Sequence, residues 1–298
     1  MKIAIFNPEH DLCLANGRAH YVPPQSAVDF ARQGASLMQI LYPEAHCTSV
    51  YDSLQFSIPS FQSVELLPWG WNLTLKNQLL RQGVPEHVMP SDSTLSDWRA
   101  LQHRTSWLPL QPHSHAVTTA GEVEALLAHN PDLVMKAPWS GSGRGLRWVR
   151  GRLSDHDRTW LDKVVGGQQC VIVEPRWEIR YDYALEYRID GTGLTFVGFS
   201  LFDTAHGVYR GNRLLPDEAI ACRVGFPPTL RTSVERWLLE HVAPRYHGPL
   251  GVDCICDCEG HHHVAEINLR HTMGMVAHAY LCAHPEAEGS IFTPSEIR

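Results

Sequence analysis

The chain has 298 residues, of which 44% are hydrophobic and 19% charged, and its formal net charge is −7. These values are typical of a globular protein that folds as two or three packed subdomains. The acidic balance argues against general nucleic-acid binding and against an anionic membrane surface, and no apolar run reaches the length of a membrane-spanning helix. Eight cysteines spread over the chain favour reduced thiols and a cytoplasmic protein.

The first predicted element is a strand, Ile3–Phe6, and the segment after it turns acidic too early for a signal peptide. Residues that follow the carboxyl end of a parallel strand commonly line the crevice of an open α/β sheet. This position makes five side chains candidates for a substrate site, with the last as a carboxylate clamp: Asn7, Glu9, His10, Asp11 and Arg18. Alternatively, Asn7, Pro8 and Asp11 only shape the turn.

A helical pattern runs from Ala27 to Leu41, and residues 43–68 contain short apolar pieces broken by prolines. Trp69 and Trp71 lie in an aromatic loop, for which core or junction packing is the favoured interpretation and covering a ligand the alternative. A helix is predicted over Thr94–Leu108 and another from Thr118, whose N-cap threonine is followed by early glutamates.

The apolar run Leu133–Pro138 brings Lys136 to a loop of small residues. Glycines let backbone N–H groups approach phosphate oxygens closely, and a lysine adds a point charge. Only four of the 25 basic residues are lysines, so a lysine here is informative. The loop is not a Walker A motif, because the lysine precedes the glycines; the alternative is a flexible hairpin loop. Its candidate phosphate-binding residues are Ser140, Gly141, Ser142, Gly143 and Arg144.

Alternating strands and helices continue through the second half of the chain. A helix over Ser154–Val165 precedes an apolar strand, Val171–Pro175, and two antiparallel strands follow around a turn at residues 190–193. The predicted strands are Tyr181–Arg188 and Leu194–Phe202, and the predicted helix before the last hairpin is Pro228–Val242.

The most informative segment is a predicted hairpin formed by residues 248–270. Asp253 lies on its first strand, and Glu266 and Asn268 lie two residues apart on its second, so they share one face. Antiparallel pairing can bring Asp253 opposite them. Two carboxylates and an amide oxygen make a site suited to Mg²⁺, and Arg270 continues the same face. A surface hairpin with a solvated polar face is the alternative.

The same hairpin contains a competing cluster of Cys254, Cys256 and Cys258 with three histidines at positions 261–263. Thiolates and imidazoles this close suggest a zinc site. However, C-x-C-x-C spacing on a strand lacks the C-x₂-C knuckle. If Asp253 faces a ligand, the cysteines face the other side of the sheet, where cysteine packs as a small apolar residue.

Taken together and in this order, these motifs resemble the ATP-grasp superfamily over about residues 95–280. Its members carry a strand lysine before a small glycine-rich loop, then a hinge strand with an acidic residue, then a metal hairpin of the form acidic…Glu-x-Asn. The matching positions here are Lys136, the loop at 139–145, Glu174, and Asp253 with Glu266 and Asn268. The resemblance implies an α/β N-terminal domain (1–95), an α+β small lobe with the glycine-rich loop (96–170), and an α+β C-terminal lobe with the metal hairpin (171–298).

The resemblance also implies the role of each matched residue. Lys136 would contact the α- and β-phosphates of ATP, Glu174 the adenine amino group, and the hairpin ligands one or two Mg²⁺ ions. Asp182 is the ribose candidate, with Glu178 as the alternative. The family usually supplies a second phosphate-binding basic residue from the helix before the glycine-rich loop. This chain offers only arginines there, Arg104 or alternatively Arg99. A further phosphate-binding basic residue would be Arg210 or Arg213.

By resemblance, the expected function is an ADP-forming ligase. A carboxylate would attack the γ-phosphate, and an amine or similar nucleophile would displace phosphate from the acyl phosphate. Arg270 would stabilise that intermediate, and Lys136 would balance the developing charge. Small-molecule carboxylate and amine substrates are therefore expected, with no nucleic-acid partner. The alternatives are an ATP-grasp kinase and a non-catalytic nucleotide- or zinc-binding protein.

Overall fold

A computed structural model describes residues 1–52, 64–140, 145–205 and 208–293. Its first unit is a three-stranded parallel sheet in the order β2-β1-β3, flanked by helices. The strands are β1 (Lys2–Phe6), β2 (His46–Ser49) and β3 (Glu65–Pro68), and the helices are α1 (His10–Asn16), α2 (Gln25–Gln33), α3 (Leu37–Leu41) and α4 (Leu73–Arg81). The apolar residues of β1 are fully buried at the centre of this unit.

The single helix predicted over Ala27–Leu41 is instead two helices, α2 and α3, separated at residues 34–36. A Cβ on Gly34 would lie 2.4 Å from the Phe6 ring, so only glycine lets the chain pass this close to the sheet. The break allows α3 to turn back over β1, where Leu37 and Met38 pack against Phe6.

The second unit is a four-stranded antiparallel sheet in the order β4-β7-β5-β6. Two helices with capping boxes at Thr119 and Ser154 cover it, and their buried residues Val123 and Leu161 share a core with the strands. The elements are β4 (His115–Val117), α6 (Ala120–His129), β5 (Asp132–Lys136), β6 (Leu146–Arg150), α7 (Asp155–Gln168) and β7 (Val171–Pro175).

The third unit is a six-stranded sheet in the order β12-β11-β8-β9-β10-β13. Its largest core cluster combines the strand residues Tyr183, Tyr187 and Val252 with helix residues such as Val234 and Trp237. The elements are β8 (Ile179–Asp190), β9 (Gly193–Ala205), β10 (Val208–Arg213), α8 (Asp217–Val224), α9 (Pro228–Trp237) with a π-helical turn at Leu238–Val242, β11 (Gly248–Asp257), β12 (His262–Asn268), α10 (Met273–Ala283) and β13 (Ile291–Phe292).

The helix predicted over Thr94–Leu108 ends earlier, as α5 (Asp92–Leu101), and a 3₁₀ helix continues from Arg104 to Leu110. The His103 side chain accepts a hydrogen bond from the Thr105 backbone and caps the second helix at the break. Trp98 and Leu101 of α5 and Trp107 of the 3₁₀ helix pack into the core of the six-stranded sheet. This packing holds Arg104 at the edge of that sheet.

Trp69 joins the first and third units. It is 4% exposed and shares a cluster with Phe6, Val276 and Phe292. Core or junction packing, the favoured interpretation of this residue, is therefore confirmed. No helix in the described part of the chain is both long enough and apolar enough to cross a membrane.

Candidate functional site

The hairpin predicted at residues 248–270 is formed by β11 and β12, and its register pairs Asp253 directly with Glu266. Asn268, two residues further along β12, donates a hydrogen bond from Nδ2 to Asp253 Oδ2 at 3.0 Å. The expected convergence of Asp253, Glu266 and Asn268 is confirmed as geometry. The facing pair of carboxylates is the feature around which the other polar residues gather.

Arg270 lies beside this group and forms a two-point ion pair with Asp11. Its Nε and Nη2 atoms donate to the two Asp11 carboxylate oxygens at 2.9 Å each, and Nη2 also donates to Asn268 Oδ1 at 3.0 Å. Burial opposes ionisation of Asp11, but the charge and hydrogen bonds of Arg270, together with smaller contributions from His10 and Arg104, lower the Asp11 pKa below its ordinary value. Helix α1 thereby contacts the hairpin.

Arg104 also contacts the hairpin. Its buried guanidinium donates from Nη2 to Glu266 Oε1 at 2.9 Å and to Ser140 Oγ at 3.2 Å, and from Nε to the Ala137 carbonyl at 3.1 Å. The alternative residue, Arg99, lies instead over the Trp139 ring, 3.6 Å from its centroid. Arg104 is thus the arginine that lies beside the predicted metal ligands.

The surroundings of Asp253 oppose its ionisation. Burial raises its pKa well above the ordinary value, and the neighbouring charges of Glu266 and Glu186 raise it further. Arg270 opposes this shift without cancelling it. A cation bound between these carboxylates would stabilise the ionised form of Asp253.

Lys136 and Glu174 form an ion pair across the adjacent strands β5 and β7. Both side chains are mostly buried. The glycine-rich loop begins where β5 ends, but Gly141, Ser142, Gly143 and Arg144 lie outside the described residues. Of the predicted loop residues, Ser140 is described, and it lies against Arg104.

A cavity of 1060 Å³ lies between the four-stranded and six-stranded sheets, and we call it the interlobe cavity. Of the six predicted nucleotide-binding residues that the structure describes, five line it, and both ribose candidates, Asp182 and Glu178, are in its wall. Asp182 accepts a hydrogen bond from Thr204 Oγ1 at 2.7 Å, and burial raises its pKa. The polar lining comprises Arg104, Asp132, Lys136, Ser140, Glu174, Arg176, Glu178, Asp182, Thr204, Asp253 and Glu266.

Two predicted cationic residues lie elsewhere. Arg210 is exposed on β10 and is not among the described residues that line the interlobe cavity. Arg213 is also outside this lining and pairs with Asp203 at 2.9 Å. A phosphate contact from either arginine stays a prediction.

A second cavity, of 530 Å³, lies between the N-terminal unit and the six-stranded sheet, and we call it the N-terminal cavity. Glu9 and Asp11 line one side, and Asn212 of β10 lies in another part of the wall. The two cavities share four lining residues, namely Phe202, Thr204, Asp253 and Glu266. The facing carboxylates therefore lie where the two cavities meet.

Structural comparison identifies this architecture. D-cycloserine synthetase matches with a TM-score of 0.56 at 14% identity, over 96% of this chain and 99% of that protein. N5-carboxyaminoimidazole synthetase from Staphylococcus aureus, solved with ADP, matches with a TM-score of 0.55 at 11% identity, over 98% of this chain and 78% of that protein. D-alanyl-alanine synthetase A from Vibrio cholerae matches with a TM-score of 0.52 at 14% identity, over 92% of this chain and 90% of that protein. The protein has the ATP-grasp fold.

At these identities the likeness describes the fold alone. No protein-family model matches the sequence, and no curated protein matches it either. The fold expected from the sequence, an α/β N-terminal domain with α+β ATP-grasp lobes, is confirmed.

The sequence analysis missed a polar cluster inside the ATP-grasp fold. Glu186 of β8 is fully buried in the wall of the N-terminal cavity and accepts hydrogen bonds from Ser200 at 2.9 Å and Thr272 at 2.8 Å. Burial raises its pKa to about 7. Gly274 allows this arrangement, since a Cβ there would lie 2.1 Å from Glu186 Oε1. The available signal was the carboxylate of Glu186 within the otherwise apolar stretch Tyr183–Tyr187 of a central strand.

The cysteines of the zinc alternative lie in different surroundings. Cys254 and Cys256 are buried in the apolar core behind Asp253, as expected for the far face of the strand, whereas Cys258 is exposed in the turn. Within the described ranges, no three His, Cys, Asp or Glu side chains are grouped closely enough to hold a metal ion.

Proposed function

We propose that the protein is an ATP- and Mg²⁺-dependent ligase that joins a carboxylate to an amine or similar nucleophile through an acyl phosphate. One observation carries the proposal: Asp253 and Glu266 line both the interlobe cavity and the N-terminal cavity. A nucleotide in the first cavity and a substrate in the second would meet at these carboxylates. Ligase neighbours with the same fold, one of them solved with ADP, support this assignment.

The donor set fits Mg²⁺. Two carboxylates and one amide oxygen are hard ligands, and the raised Asp253 pKa reflects a site with too much negative charge for its burial. Asp253, Glu266 and Asn268 would hold one or two ions. When bound, Mg²⁺ neutralises phosphate charge and holds the phosphate oxygens in place.

The nucleotide would occupy the interlobe cavity. Lys136 and Arg104 supply the cations for its phosphates, and both are held in place by existing ion pairs, with Glu174 and Glu266 respectively. Arginine suits this position because its planar fork binds phosphate at two points. Ser140 and the loop at 141–144 would donate hydrogen bonds to the phosphates. Glu174 would contact the adenine, Asp182 the ribose, and Arg210 a phosphate.

The chemistry would take two steps. A substrate carboxylate oxygen bonds to the γ-phosphorus while the bond to the β,γ-bridging oxygen breaks, and ADP leaves with that electron pair. The nucleophile then attacks the acyl carbon, phosphate leaves with the C–O electron pair, and an amine nucleophile loses a proton. Arg270, fixed by Asp11, would place a permanent positive charge beside the acyl phosphate.

Calorimetric titration of ADP, with and without Mg²⁺, tests the nucleotide assignment. We expect Mg²⁺-dependent binding that weakens about tenfold or more in Lys136→Ala, because the phosphates lose a charge-assisted contact. Lys163→Ala, at an exposed position on α7, is the matched control and should bind ADP as the wild type does. A wild type that binds no ADP would contradict the proposal.

The products distinguish a ligase from a kinase. With ATP and a panel of carboxylates and amines, a ligase releases ADP and free phosphate, whereas a kinase gives ADP and a phosphorylated acceptor. Turnover without free phosphate would favour the kinase.

A further inference from the structure

The N-terminal cavity has an unbalanced charge. Among its described lining residues are five carboxyl groups and one guanidinium, that of Arg270. Four of the acids are already accounted for: Asp253 and Glu266 by the proposed metal site, Asp11 by Arg270, and Glu186 by two hydroxyl donors. The fifth is Glu9.

Glu9 has an unused oxygen. Its Oε1 accepts a hydrogen bond from the Tyr51 hydroxyl at 2.8 Å, but its Oε2 has no hydrogen-bond partner among the described residues. The residue is 3% exposed, so water compensates poorly for the missing partner. Buried polar atoms are normally paired, because an unpaired one carries its full desolvation cost. Glu9 lines the N-terminal cavity, so a donor on a ligand bound there would supply the missing partner.

The wall next to Glu9 is aromatic. Phe6 precedes Glu9 by three residues and packs edge-on against Phe30 and Trp69, at centroid distances of 5.5 and 5.1 Å. All three line the N-terminal cavity, and Phe30 remains 38% exposed on α2. An apolar body that covered Phe30 would remove this surface from water.

We propose that Glu9 binds a protonated amino group of the substrate that fills the N-terminal cavity, and that the apolar body of this substrate packs on Phe6, Phe30 and Trp69. The inference rests on the proposed function and names the substrate class of its second cavity: an ammonium compound with an apolar, aromatic-sized body. The only cation in the described lining, Arg270, is already paired with Asp11, so no cation in that lining is free to neutralise Glu9. Burial raises the Glu9 pKa to about 7, and an ammonium partner would favour its ionised form.

Matched small probes test this assignment. We would titrate 2-phenylethylammonium, 2-phenylethanol and 3-phenylpropanoate into protein saturated with ADP and Mg²⁺, using calorimetry. The ammonium compound should bind ~10- to 100-fold more tightly than the alcohol, as expected for a charge-assisted hydrogen bond at a buried site. Equal affinities for these two probes, or no binding of the ammonium compound, would overturn the inference.

Variants localise the effect. Glu9→Gln should abolish the preference for ammonium over alcohol, while Glu65→Gln, an exposed position on β3 of the same unit, should retain it. Tyr51→Phe should weaken ammonium binding to a smaller degree, because Glu9 loses the hydroxyl that orients it; this variant carries the test if Glu9→Gln does not fold. A preference that persists unchanged in these variants would overturn the role of Glu9.

The titration of ADP without probes separates the two proposals. Wild-type protein that binds ADP but shows no ammonium preference overturns only the Glu9 assignment. Failure to bind ADP would overturn the proposed function and, with it, this inference.

Discussion

Arg270 and Asp11 are 259 residues apart in the chain, and they form a two-point ion pair with both distances at 2.9 Å. Each side chain is at most 17% exposed. The pair connects helix α1, which follows the first strand, to the end of the β11–β12 hairpin. It therefore fixes the N-terminal unit relative to the residues that would perform the chemistry.

Replacing Asp11 with asparagine should destabilise the protein. The substitution leaves the Arg270 guanidinium buried without its counter-charge, which typically costs about 3 kcal/mol or more of unfolding free energy. Urea denaturation measures this change, with Asp97→Asn, at a half-exposed pair with Arg245, as the control. A loss no larger than that of the control would show that the Asp11 pair contributes little.

Asp253→Asn should have opposite effects on stability and on function. The raised pKa means that the unfolded chain ionises this acid more easily than the folded protein does, so Asp253 destabilises the fold at neutral pH. Removing the charge should therefore raise the unfolding free energy. Mg²⁺-dependent ADP binding should fall at the same time, because a ligand charge is lost.

The matched control for this substitution is Asp162→Asn, at an exposed position on α7, which should change neither property. A destabilised Asp253→Asn protein, or one that keeps full Mg²⁺ dependence, would contradict the assignment.

The hairpin site was predictable because its information is local. Alternation on β12 fixes which side chains share a face with Glu266, and the turn brings the two strands together. The exact partner of Asp253 also depends on a register shift between Asp253 and Cys254, without which Asp253 would face Ala265. Glu186, Ser200 and Thr272 meet only through the order of strands in the six-stranded sheet and the position of α10, which no local pattern encodes. The pairing of Arg270 with Asp11 depends in the same way on how two units pack.

Local breaks were also hard to predict. The periodicity of residues 27–41 fits one helix, yet the close approach of Gly34 to Phe6 divides it in two. Tertiary packing outweighs helix propensity at such points.

Gly274→Ala should disturb the Glu186 cluster. The added methyl group would lie 2.1 Å from Glu186 Oε1 and 2.3 Å from Ser200 Oγ, both of which are buried. Overpacking of this kind costs about 1–3 kcal/mol, which thermal or urea denaturation would measure. Gly121→Ala in α6 is the control, since its Cβ meets no atom within 4 Å and should be neutral or slightly stabilising. Equal behaviour of the two variants would argue against tight packing around Glu186.

His271 should make the fold sensitive to acid. Its Nδ1 faces the carbonyls of Pro68 and Trp69 at 3.2 Å, and its Nε2 lies 2.8 Å from the Tyr42 hydroxyl, so the neutral ring donates from Nδ1 and accepts at Nε2. Burial lowers its pKa from 6.5 to about 4. The unfolded chain therefore binds a proton first, and stability that is full above pH 6.5 is lost progressively as the pH falls towards 4.

The size of this effect follows from the two pKa values. Between pH 6.5 and 5, His271 should account for a loss of about 1.5 kcal/mol in unfolding free energy. His271→Gln should remove that part of the pH dependence even if it lowers stability at every pH, whereas the exposed His129→Gln should not. Identical pH profiles for wild type and His271→Gln would refute the prediction.

The shared walls of the two cavities have a thermodynamic consequence. Because Asp253 and Glu266 face both spaces, a ligand that changes the charge of these carboxylates alters the free energy of binding in the other space. Such linkage is reciprocal: if ADP with Mg²⁺ tightens binding in the N-terminal cavity by some factor, a ligand there must tighten ADP binding by the same factor. A ligand bound in one cavity can thus be detected as a change in the affinity of the other cavity for its own ligand.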